Sequence, residues 1–266
     1  MSKRLLILFY LSVVAILSGL AQDKRIEKTF KVDKKYILLP YCFESPETEV
    51  QFIMPDSKAV SPIRLNDSKI DYWAFWDVSP YTGKKVHVLL EDTPKNREII
   101  DLIELSDDPR QDTILYKEKK RQQIHYSPPI GWMNDPNGLV YANGMYHFYY
   151  QNKPFAAMVG GHQFWGHIVS FDLVHWRQMP QAIYSNEKGF AFSGSALIDY
   201  ENVAGFQKGK EKTIVAFYTR VRPGISEQSM AYSNDNGLTY IDYEGNPVLK
   251  TREKFGKGER SENIQV

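Results

Sequence analysis

The sequence is poor in cysteine, carries no excess charge of either sign, and lacks several common catalytic motifs. Cys42 is the one cysteine among 266 residues, so no intrachain disulfide can form. The 33 basic and 32 acidic residues give a net charge of +1, which argues against nucleic acid or an anionic membrane surface as partner. G-x-S-x-G, H-E-x-x-H, P-loop and G-x-G-x-x-G motifs are absent, which disfavours the corresponding hydrolases, metalloproteases and nucleotide-binding proteins.

The longest apolar run lies at the N-terminus. Lys3 and Arg4 precede the run from Leu5 to Leu17, and the small residues of SGLA end at Ala21. This order of basic, apolar and small residues predicts a signal peptide over 1–21 and a secreted, periplasmic or cell-surface protein. The alternative is an uncleaved membrane anchor, although the run is short for a bilayer span.

Aromatic residues make up 14% of the chain, and together with frequent turn sequences they predict an all-β protein. The runs KKYILLP, TEVQFIM, DYWAFWDV, KKVHVLLE and REIIDLIEL predict short strands of a β-sandwich-like N-terminal module over 22–118. In YWAFW, alternation predicts that one of Trp73 and Trp76 is buried and the other lies at an interface; a sugar-stacking platform is the alternative. The polar segment 106–123 is predicted to be a linker.

A second β-rich region, 119–266, carries signs of repetition. Asn143-Gly144 in LVYANGMYHFYYQ predicts a tight type I′ hairpin. Ser170-Phe-Asp172 and Ser233-Asn-Asp235 recur about 63 residues apart, each after one strand and before another. Repeats at such a spacing are typical of the four-stranded blades of a β-propeller.

The stretch GWMNDPNGLV contains the candidate catalytic group, Asp135. Asp-Pro-Asn-Gly by itself predicts a type I turn. At the funnel floor of a propeller the same carboxylate is suited to glycoside cleavage, which in its retaining form needs a nucleophile and an acid/base carboxyl group. Aromatic walls and hydrogen-bonding side chains suited to a sugar are predicted at Trp132, Phe192, Asn134, Gln151 and Ser193.

The six histidines, at 87, 125, 147, 162, 167 and 175, form no ligand spacing typical of zinc. We therefore expect structural or hydrogen-bonding roles for them, and no metal or organic cofactor. Cys42 has no visible catalytic partner and is predicted to be a small buried residue.

Five ordered segments between Ile124 and Leu249 resemble the invertase and fructan-hydrolase family, glycoside hydrolase family 32. They are HYSPPIGWMNDPNGLVY, YHFYYQNKP, FWGHIVSFDLVHW, FSGSALIDY and QSMAYSNDNGLTYIDYEGNPVL. The resemblance implies a five-bladed propeller that hydrolyses β-fructofuranosides such as sucrose, inulin or levan with retention. It implies that Asp135 is the nucleophile and that Gln151, Phe192 and Ser193 contact the substrate. The N-terminal module resembles a β-domain that precedes the catalytic domain in some secreted bacterial members.

Two departures from the family pattern bear on activity. The Arg-Asp-Pro motif, whose aspartate stabilises the transition state, and the Glu-Cys motif, whose glutamate is the acid/base, are both absent. Val159 also stands where many members carry tryptophan. At about 40–45 residues per blade, 124–266 is expected to cover roughly three blades.

We therefore expect the chain to be the N-terminal part of a β-fructosidase, with little or no turnover of its own. The alternative is a non-catalytic or vestigial fructan-binding protein. A propeller glycosidase acting on another linkage is disfavoured by the pairing of WMNDPNG with FSGS.

Overall fold

The computed structural model describes residues 24–110, 116–117, 119–155 and 163–250. The predicted signal peptide over 1–21 and the departure at Val159 lie outside these ranges. The N-terminal strands are β1 Arg25–Lys31, β2 Tyr36–Tyr41, β3 Thr48–Ile53, β4 Lys58–Ile63, β5 Tyr72–Asp77, β6 Lys85–Glu91 and β7 Glu104–Ser106. The later strands are β8 Trp132–Ala142, β9 Met145–Lys153, β10 Phe164–Ser170, β11 Trp176–Ile183, β12 Phe190–Asp199, β13 Thr213–Arg222, β14 Ile225–Ser233 and β15 Ile241–Asp242.

The N-terminal strands form two antiparallel sheets, in the orders β1-β6-β3-β4 and β5-β2-β7. Both sheets contribute to one core, because alternate residues of each strand point inward. Trp76 is 1% exposed and packs against Phe52, whereas Arg110 lies over the ring of the partly buried Trp73. The predicted alternation of the two tryptophans is confirmed, and Cys42 is buried as expected.

The prediction of a strand over REIIDLIEL was wrong. Helix α1 occupies Pro94–Leu102, followed by the short strand β7. The Thr93 side chain caps the helix by accepting a hydrogen bond from the Asn96 amide at 3.1 Å, and Pro94 occupies its first turn. Ile99 and Ile100 pack in the N-terminal core. The helix is therefore stabilised both by this packing and by the Thr93-Pro94 start.

The later strands form two four-stranded antiparallel sheets in which consecutive strands are neighbours. Blade 1 has the order β11-β10-β9-β8 and blade 2 has the order β12-β13-β14-β15. This all-β arrangement of repeated four-stranded sheets is that of a β-propeller. The two sheets occupy 132–183 and 190–242, more than 50 residues each, so the described part of 124–250 contains two blades. The expectation of roughly three blades over 124–266 extends to residues outside the described ranges.

The predicted turns within the blades are confirmed. Asn143 and Gly144, with φ of +51° and +79°, connect β8 to β9. The Ser-x-Asp repeat occupies the same place in each blade, between the third and fourth strands. Ser170 Oγ bonds Asp172 Oδ1 at 3.0 Å, and Ser233 Oγ bonds Asp235 Oδ1 at 2.7 Å.

Blade 1 is packed against both blade 2 and the N-terminal sheets. Phe155, Phe164 and Tyr184 complete the N-terminal core, and the Val60 amide donates to the Ser185 carbonyl at 2.9 Å. On its other side, blade 1 shares a core with the alternate β13 residues Ile214, Ala216 and Tyr218. The inner strands β8 and β12 are thereby held side by side. Within the described ranges, no helix is both long and apolar enough to cross a bilayer.

A buried histidine pair lies within blade 1. His147 Nδ1 and His167 Nε2 are 3.0 Å apart, and the Tyr149 ring stacks on His167 with centroids 4.3 Å apart. The two imidazoles are 2% and 0% exposed. Burial lowers the pKa of His147 and holds the pKa of His167 well below its ordinary value.

We expect this pair to destabilise the fold in acid. Below about pH 6.5 the imidazoles are protonated in the unfolded state and stay neutral in the folded state, because burial lowers their pKa. The free energy of unfolding therefore falls as the pH decreases. For one such group the slope reaches about 1.4 kcal/mol per pH unit. Urea unfolding measured between pH 7 and pH 5 should show this loss, and His167→Phe should reduce it. The exposed His125→Gln is the control; an equal slope in wild type and His167→Phe would contradict the assignment.

Candidate active site

Asp135 lies in a β-bulge of the inner strand of blade 1, and the prediction of a turn at Asp-Pro-Asn-Gly was wrong. Met133 pairs with Asn152 and Pro136 with Tyr150, so Asn134 and Asp135 together oppose Gln151. One extra residue on β8 bends the strand and disrupts regular alternation of its side chains. The Pro and Gly that favour a turn are accommodated because β8 is the edge strand of its sheet and carries a second bulge at 138–139.

The inner strand of blade 2 carries the same irregularity. Ala191 pairs with Arg220 and Gly194 with Tyr218, so Phe192 and Ser193 together oppose Thr219. The FSGS segment therefore occupies in blade 2 the position that WMNDP occupies in blade 1. Bulges are enriched beside active sites because they redirect side chains, and here they redirect the residues that the sequence singled out.

The two bulges meet at the Asp135 carboxylate. Ser193 Oγ donates to Asp135 Oδ2 at 2.8 Å, which joins blade 2 to blade 1. Asn134 Nδ2 lies 3.3 Å from Asp135 Oδ1. Oδ1 of the Asn134 side chain in turn accepts from Trp132 Nε1 at 3.0 Å and from Gln163 Nε2 at 3.2 Å. Two donors on that oxygen fix the amide so that its NH2 group faces the carboxylate.

Gln151 lies opposite this bulge on β9 and is 1% exposed. The side-chain amide of Asn137 is oriented with its oxygen towards Gln151. This oxygen accepts hydrogen bonds from Gln151 Nε2 at 2.9 Å and from the backbone N–H of Gln151 at 3.2 Å. Among the described residues, Gln151 Oε1 has no hydrogen-bond partner. A buried acceptor without a partner is costly unless a ligand supplies a donor, and a sugar hydroxyl is such a donor.

The structure brings all six predicted residues to the two bulges and their immediate neighbours. Asp135 is exposed, whereas Trp132, Asn134, Phe192 and Ser193 are half-buried. The Phe192 carbonyl is held by Trp165 Nε1 at 3.0 Å, and the Phe190 and Phe192 rings stack with centroids 6.2 Å apart. The site therefore combines a solvent-accessible carboxylate, amide and hydroxyl donors, and aromatic surfaces.

Sequence reasoning missed Asn137 and Gln163 as supports of the site. Asn137 was visible within WMNDPNG but was interpreted as a turn residue. No sequence motif marks Gln163. Its hydrogen bond to Asn134 depends on where β10 begins relative to Asn134.

The side chains that bond the Asp135 carboxylate are neutral. Among the described residues, the side chains that hydrogen-bond Asp135 are those of Ser193 and Asn134, neither of which is acidic.

No cluster of three or more His, Cys, Asp or Glu side chains suited to a metal ion occurs in the described part of the chain. His87 and His175 bond Glu27 and Asp172, while His162 lies outside that part. His175 and neighbouring backbone amides hold the pKa of Asp172 well below its ordinary value.

Comparison with known proteins identifies the family of the second β-rich region. Residues 125–261 match the model of the glycosyl hydrolases family 32 N-terminal domain, which covers just over half of the sequence. The chain therefore belongs to glycosyl hydrolase family 32, a family of glycosidases.

Relatives in this family carry enzyme names. A levanase of Bacillus subtilis is 52% identical over 138 residues, which are 52% of this chain and 20% of the levanase. An extracellular exo-inulinase of Aspergillus awamori is 40% identical over 155 residues, covering 50% of this chain and 28% of that protein. The solved β-fructofuranosidase of Schwanniomyces occidentalis with fructosyl-erythritol is 40% identical at a TM-score of 0.47, covering 49% of this chain and 27% of that one. This chain thus spans less than a third of each.

Proposed function

We propose that this chain carries the nucleophile side of a β-fructofuranosidase active site, with Asp135 as nucleophile. The substrate class is sucrose, levan, inulin or a related fructo-oligosaccharide. The observation that supports this most is the hydrogen bond between Asp135 and Ser193, which joins the bulges of two adjacent inner strands. A turn or a structural carboxylate requires no such pair of matched bulges.

Each side chain of the site has a chemical role in the proposal. The Asp135 carboxylate attacks the anomeric carbon of the fructosyl unit and a fructosyl ester forms on the protein. The bond to the leaving oxygen breaks, its electron pair passes to that oxygen, and a general acid supplies the proton that the oxygen takes up. Ser193 and Asn134 orient the carboxylate. Gln151 Oε1 accepts a sugar hydroxyl, and Trp132 and Phe192 cover apolar faces of the ring.

A retaining mechanism also requires a second carboxyl group about 5–5.5 Å from the first. Arg-Asp-Pro and Glu-Cys do not occur in the sequence. We therefore propose that the 266-residue chain turns over slowly or not at all, since loss of a general acid typically costs about 10²–10⁴-fold. A second candidate for the same site is a fructan-binding protein without catalysis.

The organisation proposed for the protein follows the sequence. A signal peptide over 1–21 directs it out of the cytoplasm, a β-sandwich-like module occupies 22–118, and blades of a five-bladed propeller begin at 119. The two N-terminal sheets around a common core support the sandwich-like module, and the extracellular relative supports export. No metal, organic cofactor or nucleic acid takes part.

Sugar binding tests the proposal without requiring turnover. Titration calorimetry of the whole chain should show binding of sucrose or a fructo-oligosaccharide and much weaker binding of glucose or maltose. Gln151→Ala should weaken the fructoside about tenfold, because it removes the buried acceptor. His125→Gln, which changes an exposed residue outside the two bulges, is the control. Equal affinity for fructosides and glucosides would contradict the proposal.

A further inference from the structure

A cavity of about 180 Å³ lies between the N-terminal module and blade 1. One wall is formed by Lys35, Tyr36, Phe75 and Asp77 of the N-terminal module. The opposite wall includes Asn152 and Gln181 of blade 1 and its flanks. None of the six residues predicted for the Asp135 site lines it, so we name it separately as the seam cavity.

The N-terminal wall of the seam cavity is aromatic. Phe75 alternates with the buried residues Ala74 and Trp76, so its ring projects from the face of β5 opposite the core. Tyr36 stands beside it on β2, with the ring centroids 5.2 Å apart at an angle of 66°. Two half-buried rings on the outer face of a sheet provide an apolar surface that the core does not use.

The polar groups that line the seam cavity carry no net charge. Asp77 Oδ1 accepts from the Ser79 amide at 3.0 Å, while Oδ2 lies 3.9 Å from Lys35 Nζ, beyond hydrogen-bond length. Across the cavity, Gln181 Nε2 donates to Asn152 Oδ1 at 3.3 Å. One cation, one anion and neutral amides are a poor match for a phosphate and a good match for hydroxyl groups.

From this combination we propose that the seam cavity binds one unit of a neutral oligosaccharide. Aromatic rings cover the C–H face of the sugar, and the carboxylate, ammonium and amide groups bind its hydroxyls. The cavity would hold a substrate chain on the N-terminal module, apart from the site of bond cleavage. The choice of a fructan as its ligand rests on the proposed function; the sugar class rests on the cavity alone.

NMR titration of the whole ¹⁵N-labelled chain with a β-2,1-linked fructo-oligosaccharide tests this. We expect two separate sets of shifts, one around Asp135 and one around Phe75 and Gln181. Phe75→Ala should weaken binding at the seam cavity about tenfold and leave the Asp135 set unchanged. Gln181→Ala serves if Phe75→Ala does not fold. Phe43→Ala, which removes a half-exposed ring (52% exposed) elsewhere on the same module, is the matched control.

The two proposals fail in different ways. Shifts at the seam cavity without shifts at Asp135 would contradict the proposed function and support this inference. Shifts at Asp135 alone, with none at the seam cavity for fructo-, malto- or xylo-oligosaccharides, would overturn the inference. An unchanged affinity at the seam cavity in both Phe75→Ala and Gln181→Ala would overturn it as well.

Discussion

Gly194→Ala is expected to lower the stability of the chain by about 3 kcal/mol or more, because there is no space for a side chain at the bulge of β12. A Cβ at this position would lie 2.0 Å from the Phe217 carbonyl oxygen and 2.6 Å from Tyr218 Cα. Both contacts are to backbone, so relief requires β12 to separate from β13. Ser193, the preceding residue, would move away from Asp135 with the strand.

Thermal unfolding of Gly194→Ala measures this effect. Gly205→Ala is the matched control: its Cβ meets nothing within 4 Å, and with φ of +73° it pays only the left-handed backbone cost of about 1–2 kcal/mol. The excess loss in Gly194→Ala is therefore the steric term. A melting temperature equal to that of Gly205→Ala would show that the inner strands are not packed as described.

Asp242→Asn is expected to lower the stability of the chain by a similar amount, because it leaves the buried Arg220 cation without its carboxylate partner. The Arg220 guanidinium is 4% exposed and donates to both Asp242 oxygens, at 2.9 and 3.0 Å. Tyr218 Oη also donates to Asp242 Oδ1 at 2.7 Å. Removing one partner of a buried ion pair typically costs about 3–5 kcal/mol. Asp242 itself is 24% exposed, which places the expectation near the lower end, at about 3 kcal/mol.

This loss should lower the melting temperature by about 2–4 °C per kcal/mol for a chain of this size. Glu44→Gln provides the matched control, since it removes the same charge from an ion pair with Lys69 in which both side chains are more than half exposed. Exposed pairs contribute little, so no resolvable shift is expected there. An equally small shift in Asp242→Asn would mean that the Arg220 charge is not buried.

What the sequence predicted well was local or was carried by the family resemblance. The Asn143-Gly144 hairpin follows from two residues that tolerate positive φ, and the Ser-x-Asp turns follow from side chains that bond their own backbone. The six residues of WMNDPNG, YHFYYQNKP and FSGS that the resemblance singles out lie together at the two bulges, and their roles stay predictions.

What the sequence did not predict depends on pairing between distant segments. Asp-Pro-Asn-Gly has the composition of a turn, but its pairing with β9 makes it a bulge, and no local property distinguishes the two. The helix at Pro94–Leu102 is a different case, because Thr93-Pro94 is typical of a helix start whereas the apolar run IIDLI is typical of a strand. Gln163 acquires its role only through the position of Asn134 across the sheet.

The central claim, that Asp135 is a fructosyl nucleophile, is tested most directly with β-fructofuranosyl fluoride. Fluoride leaves with the bonding electron pair and needs no protonation, so the carboxylate alone can displace it. With no acid/base carboxylate among the described residues that contact Asp135, the fructosyl ester should accumulate. Peptide mass spectrometry of the treated chain is predicted to find one added fructosyl unit on Asp135, and none in Asp135→Asn. Recovery of the folded wild-type chain without an adduct, or with the adduct on another residue, would contradict the account.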